Sequence, residues 1–224
     1  RCDTLAVRPR VHSALKTIKQ RKCYSHTLTT GPGVNEPTVV SGTRYEEHVQ
    51  AVLHRYMFDL DRVGGANDKG ADLAGSWHLP SDAYENRTDN QSSLDKNTRV
   101  MVQCKNYKKK LGPVHVREIE GALGGRAQKT VGLLVTPKGF SPMCISRSDS
   151  SAYPLALIVV SELHDIVSIH TNASLRTLLP TITIGTKHEV IDHTRVRIPV
   201  ILHRSRENGM VTIKGKYLPQ RCDG

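Results

Sequence analysis

The stretch VMVQCKNY at residues 100–107 places the tightest constraint on how this chain can fold. Successive side chains of a β-strand point to opposite faces, so Gln103 and Lys105 share one face while Val102 and Cys104 share the other. The apolar residues of the run predict a buried strand. Polar side chains on a buried strand are costly unless they have partners or a function. We therefore expect this strand to end in chemically active residues.

Two further polar motifs precede this strand. Residues 64–73 (GGANDKGADL) form a glycine-rich turn that leads Asp72 into a short strand predicted at residues 71–74. Residues 42–47 (GTRYEE) open a predicted helix that carries Glu46 in its first turn. The chain thus presents a helix glutamate, a strand aspartate and then Gln-x-Lys on the next strand.

Some of these acids also have a purely structural explanation. Acids near a helix N-terminus interact favourably with the helix dipole, which suffices for Glu47 and remains an alternative for Glu46. Asp68 can cap its own backbone in a glycine-flanked turn. Asp72 lies inside an apolar strand, where neither explanation applies.

The order of these motifs resembles that of the PD-(D/E)xK nucleases. The flanking residues are similar to one branch, the Mrr-type restriction-endonuclease domain, in which Gln can stand in place of the second acid. The resemblance covers residues 41–160. It implies an α/β fold with three α/β/α layers around a mixed central sheet, of the restriction-endonuclease-like type. It also implies a Mg-dependent endodeoxyribonuclease with the catalytic residues Glu46, Asp72, Gln103 and Lys105.

The resemblance implies a cofactor as well. Mg²⁺ or Mn²⁺ would be held by oxygens of Asp72, Gln103, Glu46 and the backbone carbonyl of Cys104, which are hard ligands suited to such ions. Gln103 replaces the commoner acid and removes one negative charge. We therefore expect weaker metal affinity than an Asp or Glu would give.

The net charge of +11 and pI near 9.6 indicate a polyanionic partner. Residues 1–40 hold seven Lys or Arg against two acids, which leaves 25 against 19 in the rest of the chain. Residues 99–138 alone hold nine basic residues against two acids. A lysine run is often only a solvated surface, but here it follows the predicted active strand. The residues expected to contact nucleic acid, DNA rather than RNA, are Lys69, Lys108, Lys109, Lys110, Arg117 and Arg126.

Residues 1–40 are predicted to form a basic leader and linker. Their Arg-rich, hydroxyl-rich and acid-poor composition is typical of a mitochondrial transit peptide and indicates a protein of the mitochondrial matrix. A disordered basic arm that binds nucleic acid would have a similar composition. The five cysteines lack a CxxC pair, which argues against a structural zinc site and a disulfide framework. No apolar run reaches the roughly 18 residues of a membrane span.

The remaining elements are predicted from hydrophobic patterning. A helix starts at Ser41 or Thr43 as N-cap, and residues 75–98 form a surface insertion. The C-terminal extension, residues 161–224, either continues the domain or packs on it. Helices are expected at 114–128, 141–151 and 163–179, and strands at 58–63, 131–136, 155–160, 181–184, 196–202 and 211–213.

These features predict a metal-dependent nuclease that cleaves DNA phosphodiester bonds. The whole chain is similar to the fungal mitochondrial "required for respiratory growth protein 7" family, which implies a role in mitochondrial DNA maintenance that supports respiration. Two alternatives stay open. The domain could keep the fold but only bind nucleic acid, with Gln103 marking a weakened site, or it could be an assembly factor of mitochondrial gene expression. A homodimer or a mitochondrial protein partner is compatible with either.

Overall fold

The structure is a computed structural model of the chain. It describes residues 38–63, 70–79, 98–127, 129–161, 165–191, 194–205 and 209–213, all within the unit that spans Glu36–Gly224. The described elements, in chain order, are α1 (Thr38–His54), β1 (Phe58–Arg62), β2 (Leu73–Trp77), β3 (Thr98–Cys104), α2 (Pro113–Gly124), β4 (Val131–Thr136), α3 (Pro142–Asp149), β5 (Leu155–Val160), β6 (Ile166–Thr171), α4 (Ala173–Leu178), β7 (Ile182–Ile191), β8 (Thr194–Ser205) and β9 (Gly209–Ile213).

A six-stranded mixed sheet forms the centre of the fold, with its strands in the order β1-β2-β3-β4-β5-β6. Strands β1, β2 and β3 pair antiparallel, β3, β4 and β5 pair parallel, and β6 is antiparallel to β5. Parallel neighbours need a long crossover, which α2 supplies between β3 and β4 and α3 supplies between β4 and β5. All residues of β4 are buried, as its continuous apolar run predicts.

Each face of this sheet is covered by different elements. Side chains of β3 alternate, so Val100 and Val102 pack with α1, whereas Met101 packs with α2 and α3. We call these the α1 face and the α2 face. The predicted α/β class with a mixed central sheet is confirmed. In the described part of the chain, no helix is long and apolar enough to cross a membrane.

A second sheet of three strands, in the order β7-β8-β9, lies against the α1 face. Ile201 of β8 is 2% exposed and belongs to the same apolar cluster as α1, with Ile182 and Ile184 of β7 packed beside it. Strand β6 joins the central sheet. Described residues on both sides of position 160 therefore belong to one sheet, and strands β7 and β8 pack on it.

The predicted helix at residues 163–179 is wrong. Its first half is strand β6, which is rich in β-branched residues and pairs with β5. The Asn172 side chain then caps α4 by accepting the Leu175 N–H at 2.9 Å. The sequence pattern merged these two short elements because apolar residues happen to recur at helical spacing across both.

Other boundaries also shift. Helix α1 begins at Thr38, so neither Ser41 nor Thr43 is its N-cap. Ser41 instead accepts hydrogen bonds from the Asn106 side chain at its hydroxyl and carbonyl oxygens. Strand β2 continues through Trp77, whose ring is 4% exposed and stacks on Phe58 at 4.5 Å. The first residues of the predicted insertion therefore belong to the sheet, while residues 80–97 lie outside the described part, as does most of the predicted leader.

Candidate active site

Asp72 lies directly beside the end of β3. The β2–β3 ladder pairs Leu73 with Val102, and the preceding Asp72 N–H donates to the Val102 carbonyl at 2.9 Å. The Asp72 Oδ2 atom accepts the backbone N–H of Cys104 at 2.6 Å. A charge-assisted hydrogen bond of this kind is short and fixes the carboxylate in place. Asp72 is therefore held at the point where the Gln-x-Lys motif begins.

Gln103 is buried next to Gly70. Gly70 has a φ of +77°, a conformation that favours glycine, and a Cβ there would lie 3.6 Å from Gln103 Nε2. Gln103 is 6% exposed. Its Oε1 atom is buried and has no hydrogen-bond partner among the described residues. An unpartnered buried oxygen costs about 1–3 kcal/mol, so it is a ready ligand for a donor or cation.

Lys105 lies on the α2 face, as its alternation with Cys104 predicts. Its Nζ atom is 3.3 Å from Oε2 of Glu118, and His115 Nδ1 is 3.1 Å from the same oxygen. Burial acts to raise the pKa of Glu118, but the hydrogen bond with His115 and the charge of Lys105 outweigh it and hold that pKa below its ordinary value. Glu118 is therefore an ionised partner for the lysine.

Glu118 and His115 were not among the predicted site residues. From the sequence, Glu118 could equally be a solvated helix residue, and His115 gave no ligand-like signal. Their spacing of three residues on α2 places them on one helix side, which is the only local sign of their contact. The pairing with Lys105 depends on the packing of α2 against β3 and cannot be read from local sequence.

Glu46 approaches the end of β3 from α1. Its Oε2 atom pairs with Arg62 Nη2 at 2.9 Å, and Arg62 is also 3.5 Å from Glu47. Cys104 is partly buried and packs on the α1 face. Burial raises the pKa of its thiol well above the ordinary value, and the charges of Asp72 and Glu46 raise it further. Both carboxylates thus lie near Cys104, although an arginine that the sequence did not predict neutralises Glu46.

The donor set fits a hard cation in its chemistry. A carboxylate from Asp72, the amide oxygen of Gln103 and the backbone carbonyl predicted at Cys104 are the oxygen ligands that Mg²⁺ prefers. Within the described residues, no group of three or more His, Cys, Asp or Glu side chains is arranged to hold a metal. A metal here would therefore rely on one carboxylate with amide and carbonyl oxygens, unless Glu46 exchanged Arg62 for the ion.

Four of the predicted nucleic-acid contacts lie close to this site in the chain. Lys108, Lys109 and Lys110, which we call the lysine run, are exposed in the loop that leads to α2, and Arg117 is exposed on α2. No ion pair links any of them to another described residue, so their charges remain available to phosphates. Lys69 lies outside the described residues.

Arg126 is placed elsewhere. Helix α2 begins near the carboxyl ends of the parallel strands, where Leu111 bridges to Phe140, and ends before the start of β4. Arg126 follows the end of α2 and lines an open pocket of about 870 Å³ with Lys129 and Tyr153. It therefore lies at the opposite end of the strands from Gln103, and its predicted contact with nucleic acid stays a prediction.

Comparisons with known proteins give the family. The family model described as "Required for respiratory growth protein 7" matches residues 37–180, a span that contains every predicted catalytic residue. An uncharacterized mitochondrial protein of Schizosaccharomyces pombe is 34% identical over 134 residues, which cover 60% of this chain and 50% of that protein. The mitochondrial required for respiratory growth protein 7 of Candida glabrata is 28% identical over 146 residues, covering 51% of this chain and 58% of that protein.

These matches are partial in length. The chain spans about half the length of the curated relatives it matches. No solved structure matches it. Both relatives are named as mitochondrial, which confirms the predicted mitochondrial location. Because the family model covers more than half of the chain, this protein belongs to the required for respiratory growth protein 7 family of mitochondrial proteins.

Proposed function

We propose that this chain is a Mg²⁺- or Mn²⁺-dependent nuclease of the PD-(D/E)xK type, with an Mrr-like, restriction-endonuclease-like domain, that cleaves DNA in the mitochondrial matrix. The observation that carries the proposal is the buried Gln103 Oε1 atom, which lacks a hydrogen-bond partner among the described residues and is adjacent in the sheet to Asp72. A glutamine with a purely structural role would be expected to have a hydrogen-bond donor for this oxygen within the protein. A ligand that arrives from solution would supply the missing partner.

The proposed chemistry assigns one task to each side chain. Asp72, Gln103 and the Cys104 carbonyl would hold the cation, which when bound would polarise the scissile phosphate and lower the pKa of an attacking water. Lys105 orients that water or stabilises charge that develops on the phosphate oxygens. Glu118 fixes the Lys105 ammonium group from α2, with His115 on the same oxygen. The lysine run and Arg117 hold the phosphates that flank the cleaved bond.

A cleavage assay tests the proposal. Purified full chain is incubated with supercoiled plasmid and with linear duplex, in the presence of Mg²⁺, Mn²⁺ or EDTA. We expect nicking or linearisation that requires the metal and is lost in the Asp72→Asn variant purified in the same way. Metal-independent cleavage, or equal cleavage by that variant, would assign the activity to a contaminant or another site.

Lys105→Ala separates catalysis from binding. The variant removes a positioned cation that acts on the reacting atoms, so we expect a loss of roughly 100-fold in cleavage rate. Metal affinity and DNA affinity should change little, since the oxygen donors and the lysine run stay in place. Single-turnover cleavage and calorimetric Mn²⁺ titration measure the two effects. Lys129→Ala, at the opposite end of the strands, is the matched control and should cleave at the parent rate.

Gln103→Glu tests the metal assignment. A second carboxylate beside Asp72 adds one negative charge to the oxygen site, so Mg²⁺ should bind more tightly and half-maximal cleavage should require less metal. Without metal, two adjacent carboxylates repel each other, and the variant should be less stable in EDTA than the parent. Thermal melts with and without Mg²⁺ measure both the lower stability in EDTA and the stabilisation by bound metal. If added Mg²⁺ stabilised the variant no more than the parent, Gln103 would not be a ligand.

A second candidate function is nucleic-acid binding or assembly without cleavage. Two observations favour it: Glu46 is paired with Arg62, and Lys105 is paired with Glu118. Two of the three charged residues proposed for catalysis thus already have a charged partner. A binding module would retard DNA in a gel and leave plasmid intact at every metal concentration. An assembly factor would keep its mitochondrial protein partner in a pull-down after nuclease treatment.

The lysine run should dominate the electrostatic part of DNA affinity. Replacement of Lys108, Lys109 and Lys110 by alanine should weaken duplex binding and lower the slope of log K against log salt by roughly 0.9 per lost phosphate contact. Fluorescence anisotropy at several salt concentrations measures this slope. Lys129→Ala removes a charge at the opposite end of the strands and should leave the slope unchanged. An unchanged slope in the triple variant would mean that the run is only a solvated surface.

A further inference from the structure

Tyr107 is an exposed aromatic residue in a loop that is otherwise fixed. Tyr107 is 50% exposed, and its backbone N–H donates to the Lys105 carbonyl at 3.0 Å. The preceding Asn106 donates to Ser41 of α1 at 3.2 Å and 3.4 Å. The Tyr107 ring contacts His115 of α2 at a centroid distance of 5.4 Å and an angle of 74°. The loop is therefore anchored to two helices while much of the ring faces solvent.

The surroundings of this ring are cationic. Tyr107 is two residues from Lys105 and immediately precedes the lysine run, whose three side chains are exposed and make no ion pair within the described residues. Burial in the core does not explain this aromatic residue, because Tyr107 is half exposed. Proteins that bind single-stranded nucleic acid combine these two features, with cations along the backbone and aromatic rings on which bases stack.

We propose that Tyr107 stacks on an unpaired base of a nucleic-acid strand whose phosphates lie along the lysine run. This inference rests on the proposed function and specifies its substrate class as a single strand, or a duplex with an unpaired segment at the cleaved position. A base inside a duplex has both faces covered by its neighbours and offers only its edges to a protein. A ring stacks on a base without forcing two base pairs apart only when that base is unpaired or at a strand end.

The test uses full chain in EDTA, so that cleavage plays no part. The probes are matched 12-nucleotide DNA and RNA strands that contain 2-aminopurine, whose fluorescence falls when a ring stacks on it, and the same DNA as a duplex. We expect the parent to quench the single strands. Tyr107→Leu should abolish quenching and weaken single-strand binding by roughly 5- to 100-fold, with duplex affinity nearly unchanged. Tyr107→Phe should behave as the parent.

Controls make each outcome decisive. Tyr153→Leu removes another exposed tyrosine at the opposite end of the strands and should leave quenching and affinity unchanged. If Tyr107→Leu lowers the melting temperature, the quenching by parent and Tyr107→Phe still decides the matter. Parent-like single-strand binding by Tyr107→Leu, equal losses for single strand and duplex, or no quenching by the parent would each overturn the inference. A parent that stacks bases in EDTA but never cleaves with Mg²⁺ would instead refute only the nuclease.

Discussion

We expect Asp72→Asn to abolish the proposed metal-dependent cleavage while leaving the fold and the proposed DNA binding intact. Asp72 supplies the full negative charge among the oxygens proposed to hold the cation. Its Oδ2 atom also accepts the Cys104 N–H at 2.6 Å. An asparagine that kept its carbonyl oxygen on that N–H would present its NH₂ group in place of the second carboxylate oxygen, which would be the one available to a cation. A donor in a ligand position repels a cation, so both the charge and the geometry are lost.

The measurements for Asp72→Asn are the plasmid nicking rate and calorimetric Mn²⁺ binding. Both should fall below detection, whereas DNA affinity should stay equal or rise slightly because one negative charge is gone. Asp61→Asn is the matched control, since Asp61 is an exposed acid of β1 and its substitution removes the same charge. Normal nicking by Asp72→Asn, or equal losses in both variants, would dissociate cleavage from this site.

The second large effect concerns stability and arises far from the proposed chemistry. Asn172 is 0% exposed, and its side-chain NH₂ group donates to the carbonyls of Ser148, Ser151 and Tyr153 at 3.1, 3.4 and 2.8 Å. Its Oδ1 atom accepts the N–H groups of Leu155 and Leu175 at 3.1 and 2.9 Å. One amide thus joins the end of α3, the start of β5 and the start of α4.

Asn172→Ala should lower the free energy of unfolding by about 2–4 kcal/mol, because it leaves buried backbone groups without these partners. Urea unfolding followed by the fluorescence of Trp77, the single tryptophan, measures the change. Asn106→Ala removes a part-buried amide near α1 and should cost less than about 1.5 kcal/mol. Similar losses for both variants would mean that the Asn172 network adds nothing beyond one ordinary hydrogen bond. Nicking by the folded Asn172→Ala protein should match the parent.

Local sequence was sufficient for the elements whose side chains obey a simple period. The alternation in β3 correctly separated Gln103 and Lys105 from Val102 and Cys104, and the apolar run of β4 identified a fully buried parallel strand. The same reasoning failed at residues 163–179, where a short strand and a short helix were read as one helix. Periodicity cannot place a boundary between two elements shorter than about two helical turns each.

The partners of the candidate site were also beyond the reach of local patterns. Arg62 binds Glu46 from the neighbouring β1 strand, and Glu118 binds Lys105 from α2. Each pair depends on how distant segments pack, so no spacing along the chain signals it. Arg126 shows the converse, because it is close in sequence to Arg117 but lies past the far end of α2. Charge counts along a chain do not distinguish the two ends of a helix.

The packing of β7 and β8 on the α1 face determines how short a fragment of this protein can be. The family match ends at residue 180, immediately before β7. Ile182, Ile184 and Ile201 nevertheless cover the apolar cluster that includes Leu53 and Ile158. A fragment cut at the limit of sequence similarity would expose a contiguous apolar sheet surface, and such surfaces drive aggregation. Fragments for expression should therefore extend through β8, since the region recognised by similarity is smaller than the unit that folds.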